Sequence, residues 1–322
     1  MTNIRKPLVS IIVPTFKRSS IIKNAIESVL RQTYKNIEIV VVDDNHPNSE
    51  ERNNTKLNLQ KYIDNNLITY CELDGNYGGA VARNKGLKLS NGEFVCFLDD
   101  DDTFQEKKVE LQVNKFLESK ETLAVVGGYA NIVDENGKLI RIEKTDIKGD
   151  VYKRQLAHNI CTTSIAMIRK QVAIDSGGFE KIPSSQEHLF FIKIFSVNPN
   201  YDYVKESVVN IFHHSGERIS TNSKKPEGAI QLYNKVLELT SKMDDKEIKY
   251  IKHHHLVNIT RSYISIGNSH NAMKYIILLL KNDRGIKLDT IKVFITLFIG
   301  VKNLYKIRTL FNNLKNTTTR GA

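Results

Sequence analysis

Four consecutive aspartates, Asp99-Asp100-Asp101-Asp102, follow the apolar run Phe94-Val-Cys-Phe-Leu98. Adjacent carboxylates repel one another, so an apolar strand ending in four of them needs something to offset the charge. A hard divalent cation does this, and carboxylate oxygens suit magnesium or manganese. Capping accounts for less. Thr103 and Glu106 have capping-box spacing, which explains Asp102 at a helix start but not the three acids before it. Three more features stand at the ends of apolar runs. Val9-Ser-Ile-Ile-Val ends in Pro14-Thr15-Phe16, Glu38-Ile-Val-Val-Val ends in Asp43-Asp44, and Leu67–Leu73 leads into Gly75-Asn-Tyr-Gly-Gly-Ala-Val-Ala-Arg-Asn84. In open α/β sheets, ligands bind beyond the carboxyl ends of the strands. Carboxylates, glycines and an arginine on one such rim form a candidate site.

The elements that must carry this rim alternate in type. Val9–Pro14, Glu38–Asp43, Leu67–Leu73 and Phe94–Leu98 read as buried strands. Ile21–Leu30, with Ser19 and Ser20 as candidate caps, Ala80–Leu89 and Gln105–Leu117 read as helices. That alternation indicates βαβ units and a parallel sheet covered on both faces. From Leu123 the pattern mixes strands (Leu123–Val133, Cys161–Ile168, Tyr203–Phe212) with a helix over Gln186–Phe195. After Pro226 only helical patterns remain: Ala229–Ser241, Lys246–Ile266, Asn271–Leu280 and Leu288–Leu314, with breaks at Asp244-Asp245 and Gly267-Asn268. The expected organisation is an α/β domain over residues 1–225 and a basic helical domain over 226–322.

Charge follows the same division. Residues 1–225 hold 31 Lys and Arg against 29 Asp and Glu, whereas residues 226–322 hold 16 against 7. A basic end meets phosphate, on nucleic acid or on an anionic membrane. Nucleic acid is disfavoured because the last basic residues have only Tyr305 and Phe311 among them for stacking. The segment 286–315 mixes Ile, Leu, Val and Phe with lysines and Arg308. It reads equally as an interfacial helix pair on an anionic leaflet or as an ordinary helical subdomain whose apolar faces pack together or on a second copy of the chain. No apolar run reaches the roughly 18 residues of a spanning helix, and Met1–Val9 has no signal-peptide core. The expected location is the cytoplasm, at the inner face of the plasma membrane. Three scattered cysteines, Cys71, Cys96 and Cys161, exclude a disulfide framework. His253-His254-His255 lies in a helical pattern; adjacent helical positions diverge by about 100°, so the run reads as helix surface rather than a metal site.

Taken together, Val9-Ser-Ile-Ile-Val-Pro-Thr-Phe16, Ile39-Val-Val-Val-Asp-Asp44, Ala82-Arg-Asn84 with Gly86, Gly92-Glu-Phe94 and Phe97-Leu-Asp-Asp-Asp-Asp102 resemble glycosyltransferase family 2. The likeness is to its bacterial surface-polysaccharide members, and it covers roughly residues 8–220. It implies a GT-A fold, a mostly parallel central sheet with helices on both faces, here followed by an α-helical C-terminal subdomain. It also implies an inverting, metal-dependent transfer of a sugar from a UDP-sugar to a glycan or lipid-linked saccharide acceptor. Pro14, Thr15 and Asp44 would hold uracil and ribose, and Arg83 would sit near the nucleotide. Asp99, Asp100 and Asp101 match the DxD segment, with Asp101 toward the diphosphate and a Mn²⁺ or Mg²⁺ ion. Asp43 is read as a turn cap. Ser176-Gly-Gly-Phe-Glu180 leads to Glu187, which occupies the family's position for the catalytic base. Glu180 is the fallback, and Ser184 with Glu187 also has capping-box spacing. His214, with His213 as its alternative, matches the late histidine that completes the metal or diphosphate site.

Overall fold

The computed structural model describes residues 6–213, 223–283 and 287–299, which form two compact units. The first comprises residues 6–181 and 186–213. In chain order it contains β1 (Val9–Thr15), α1 (Ile22–Leu30), β2 (Ile37–Asp43), α2 (Glu50–Asp64), β3 (Thr69–Glu72) and α3 (Gly79–Leu89). Next come β4 (Phe94–Phe97), β5 (Thr103–Phe104), α4 (Lys108–Glu118), β6 (Val125–Val133), β7 (Leu139–Glu143) and β8 (Gly149–Asp150). The unit closes with α5 (Tyr152–Ala157), β9 (Met167–Arg169), α6 (Lys170–Asp175), α7 (Gln186–Val197) and β10 (Asn200–Phe212).

One sheet runs in the order β3-β2-β1-β4-β9-β6-β10-β5. Its first four strands are parallel, in register Ile12 with Val40 and Phe97. β9 is antiparallel to both β4 and β6, so it joins that parallel set to the parallel pair β6–β10. Every residue of β1 is buried, as expected for a strand covered on both faces. Each fully buried Ile or Val stabilises the fold by about 1.5–3 kcal/mol. α3 lies so close to β1 that a Cβ on Gly86 would stand 2.2 Å from Ile12 Cγ2, which only glycine permits. That close approach carries the start of α3 to the rim where β1 and β2 end.

Several expectations change. α2 is absent from the sequence reading because its 15 residues bury only Arg52, Thr55, Leu59 and Tyr62, too sparse for an apolar stripe. Its signals are local: Ser49 accepts the Arg52 amide, and Glu50 and Glu51 occupy the first turn. Thr103 and Glu106 do not cap a helix. Thr103 lies in β5 and α4 starts at Lys108, with no side-chain cap. Ser19 and Ser20 do not cap α1 either, because the N-cap residue is Ile21. Of the strand expected over Cys161–Ile168, only the last two residues enter β9; before them the Ile165 and Ala166 amides turn back onto the Thr162 carbonyl.

The second unit comprises residues 182–185, 223–283 and 287–299, with α8 (Lys225–Leu239), α9 (Asp245–Ser265), α10 (Ser269–Asp283) and α11 (Leu288–Ile299). Asp244 and Glu247 form a full capping box at α9, and Gly267 turns the chain after it with φ +75°. The histidine run is not surface. His253 and His255 are buried, and His253 Nδ1 lies 2.7 Å from Asp283 Oδ2. None of the described helices is long and apolar enough to cross a membrane.

Candidate functional site

The rim at the carboxyl ends of β1, β2 and β4 gathers Thr15, Asp44 and the aspartate run. Asp43 ends β2 and is buried; its carboxylate accepts the Asn45 amide at 2.8 Å and the Tyr70 hydroxyl at 2.5 Å. It shapes the turn, as the sequence suggested. Asp44 accepts the Tyr77 and Gly78 amides at 2.7 and 2.8 Å, which locks the glycine loop ahead of α3 onto β2. Burial raises its pKa, and those two amides oppose the rise.

Thr15 donates to Asp100 Oδ2 at 2.7 Å, and the Phe16 amide adds a longer bond. Arg83 reaches from α3 to Asp99 at 2.6 Å, while its guanidinium lies 5.6 Å from the Phe179 ring centre. Arg18 pairs with Asp101 at 3.5 Å. Asp102 turns inward and accepts the Phe212 amide at 3.3 Å. Burial, with repulsion from Asp101 and Asp99 beside it, pushes Asp100 up to about 7. Burial and the same repulsion raise Asp102 well above the usual carboxylate range.

This surplus of negative charge, made of hard oxygen donors, fits a divalent cation at the rim. Among the described residues no three His, Cys, Asp or Glu side chains are grouped as a complete metal site. His214 lies outside the described residues. His213 is described, and its amide donates to the Val133 carbonyl at the end of β6.

Glu187 sits in the first turn of α7. The chain reaches it through Gly177 and Gly178, both at positive φ. A Cβ on Gly178 would stand 2.5 Å from Asn84 Oδ1, because the Asn84 side chain bonds both the amide and the carbonyl of Phe179 at 2.8 Å. Burial is the largest cause raising the Glu187 pKa, and Asp99 adds to it; Arg83 and hydrogen bonds from Thr163 act the other way. The Thr163 hydroxyl donates directly to Glu187 Oε1. Ser184 is engaged elsewhere, donating to the Lys225 carbonyl at 3.0 Å. Glu180, the fallback base, is paired with Lys193 at 3.1 Å.

Sequence reasoning missed Arg18, Thr163 and Ser164. The available signal was the polar Thr162-Thr163-Ser164 in a segment read as a strand: Thr163 and Ser164 are almost fully buried, so their hydroxyls must serve something. A cavity of about 430 Å³ between α5 and residues 144–147 is lined by Lys144, Asp146, Arg154 and His158, and by none of the rim residues.

The model of the family described as "Glycosyl transferase family 2" matches residues 10–177. An uncharacterized glycosyltransferase of Rickettsia felis is 34% identical over 208 residues; the match covers 61% of this chain and 33% of that protein. The chain thus spans about a third of that relative. The poly(ribitol-phosphate) β-N-acetylglucosaminyltransferase TarP of Staphylococcus aureus is 32% identical over 228 residues, covering 66% of each chain. Among solved structures, S. aureus TarS 1–349 in complex with UDP-GlcNAc superposes with a TM-score of 0.60 at 18% identity, over 85% of this chain and 88% of that one. The fold is therefore the expected GT-A α/β architecture.

Proposed function

The chain belongs to glycosyl transferase family 2, and on that premise we propose that it transfers a sugar from a UDP-sugar to a glycan acceptor in bacterial polysaccharide synthesis. The donor to test first is UDP-GlcNAc, which TarS was solved with and whose sugar TarP transfers by name. The acceptor is a wall glycan or lipid-linked saccharide. The work is done in the cytoplasm at the inner face of the plasma membrane, where the basic C-terminal helices meet anionic lipid.

The observation that carries this reading is the placement of Glu187, which is half-buried, held by Thr163, and close enough to Arg83 and Asp99 to feel both charges. A carboxylate raised by burial is a better base near neutral pH than an exposed one. The acceptor oxygen forms its bond to the anomeric carbon as the bond from that carbon to the diphosphate breaks. The electron pair leaves with UDP, and the acceptor proton passes to Glu187. Attack from the face opposite the leaving group inverts the anomeric configuration.

Pro14, Thr15 and Asp44 form the nucleoside end of the site. Thr15 fixes Asp100, and Asp44 fixes the glycine loop on which the nucleotide would rest. Asp99 faces the ribose with Arg83 behind it. Asp101 would hold a Mn²⁺ or Mg²⁺ ion together with His214. When bound, such a cation supplies positive charge to the departing diphosphate.

Calorimetric titration of UDP with and without Mn²⁺, followed by UDP release from a panel of UDP-sugars, tests this. Metal-dependent UDP binding with turnover of one sugar supports it. Absence of UDP binding under both conditions removes the donor assignment.

A further inference from the structure

Lys108, at the start of α4, is fully buried, and no carboxylate among the described residues pairs with its ammonium. Burial pulls its pKa down to about 8, against weaker support from the Cys96 and Cys161 thiols. Its Nζ donates to the Ile165 carbonyl at 2.7 Å and to Gln112 Oε1 at 2.9 Å, 4.6 Å from the Phe104 ring centre. Gln112 Nε2, one turn further along α4, donates to the same Ile165 carbonyl at 2.9 Å and to Val126 O at 2.9 Å. Two side chains of one helix therefore converge on one carbonyl. A buried charge of this kind is a poor way to gain stability, because apolar replacements of buried charges are often neutral or stabilising.

The two residues before Ile165 show what the clamp acts on. Thr163 donates to Glu187. Ser164 Oγ accepts the Asp99 amide at 3.3 Å and hydrogen-bonds the Asp102 carboxylate. One short segment thus touches the carboxylate at the start of α7 and the aspartate run after β4, and its far end is held by α4.

We propose that Lys108, with Gln112, is a positioning residue: by fixing the Ile165 carbonyl it sets Thr163 against Glu187 and Ser164 against the Asp99–Asp102 turn. This rests on the reading of Glu187 as the base. Lys108 touches no substrate. It acts through a two-residue segment whose hydroxyls aim one reacting carboxylate and hold the backbone of the donor rim.

The test is a double-mutant cycle on UDP release, using whichever of UDP-GlcNAc and UDP-Glc the protein turns over. Lys108→Met keeps the side-chain length and removes the donor. It is expected to keep or raise Tm and to leave KM for the donor within about threefold, while kcat falls about 10–100-fold, the range for lost outer-shell partners. Thr163→Val should fall similarly, and Thr163→Ser should restore most of the rate. The double variant should be little worse than Thr163→Val alone, because both changes break one chain of contacts. If Lys108→Met does not fold, Gln112→Met replaces it in the same cycle. Effects that multiply, or full kcat in Lys108→Met, overturn the clamp. Wild-type turnover in Glu187→Gln overturns the base assignment itself, a result separate from the outcome of the cycle.

Discussion

Arg83 Nη2 and Asp99 Oδ1 meet at 2.6 Å, an ion pair formed by the helix after the glycine loop and the first aspartate after β4. Arg83 is the more enclosed partner, its side chain 13% exposed against 34% for Asp99. The guanidinium feels the charges of Glu187 and Asp100 as well, so one cation serves three carboxylates. Its burial opposes the charge, and those carboxylates more than restore it.

Removing that cation should therefore act on Glu187 at a distance. Glu187 must be ionised to accept a proton, so the rate falls as pH drops through its raised folded pKa. Arg83→Met removes a neighbour that lowers this pKa, and the acidic limb of kcat should move to higher pH. The variant should also lose about 1–3 kcal/mol of stability, reduced from the fully buried range by the exposure of Asp99. A limb that stays in place would separate Arg83 from Glu187.

Glu187→Gln should keep UDP binding and lose about 10²–10⁴ in kcat if the residue is the base. Burial makes its charged form the costly one, so a neutral glutamine should leave Tm at pH 7.5 unchanged or higher. A clear drop in Tm with the rate retained would mean that the side chain secures α7 instead.

Asp101→Ala removes the carboxylate that pairs with Arg18 on the rim. Because that pair is still 35% and 26% exposed and its contact is long, stability should change by no more than about 1 kcal/mol. The difference in UDP affinity with and without Mn²⁺ should disappear. Calorimetry with retained metal dependence would exclude Asp101 as the ligand.

In the second unit, His253 and Asp283 are 4% and 1% exposed and 2.7 Å apart. Burial works against the Asp283 charge, but hydrogen bonds from Lys287, His253 and Asn282 outweigh it and hold the pKa low. A depressed carboxylate contributes stability above its unfolded pKa, near 4, and loses it as pH falls through the lower folded value. Asp283→Asn should lower the Tm of these helices at pH 7, with a smaller difference from wild type below about pH 3. A difference independent of pH would assign the effect to packing.

α11 leaves Leu288 and Phe298 74% and 70% exposed, with the Phe294 and Phe298 rings tilted at 53° and 5.0 Å apart. Lys287 and Lys292, near its start, are exposed and pair with Asp283 and Asp289. Phe298→Asp should reduce sedimentation with vesicles containing phosphatidylserine, and to a lesser extent with neutral ones. Unchanged vesicle binding together with a shift in sedimentation velocity would identify the face as an interface between copies. Residues 286 and 300–315 of the expected interfacial segment lie outside the described residues.

Much of this was legible in the chain itself. Buried parallel strands announce themselves as β-branched runs, and the rim is readable because Thr15, Asp44 and Asp99–Asp102 directly follow those runs. Helix breaks at Asp244 and Gly267 are local chemistry as well, a capping box and a left-handed glycine. α2 escaped notice because a helix that buries a polar Arg52 and Thr55 has no apolar stripe to show.

The sequence alone determined the four parallel strands that build the rim, the charge of the two ends and which carboxylates share a strand end, since each depends on neighbours a few residues apart. Tertiary structure decided which carboxylates are paired and which are left raised. It also placed His253 inside rather than outside, and turned Thr163 and Ser164 from strand residues into the partners of Glu187 and Asp99. Those outcomes depend on burial and on groups 24 to 65 positions away in sequence. Coulombic and hydrogen-bond energies depend on distance in space, which folding sets and residue spacing does not.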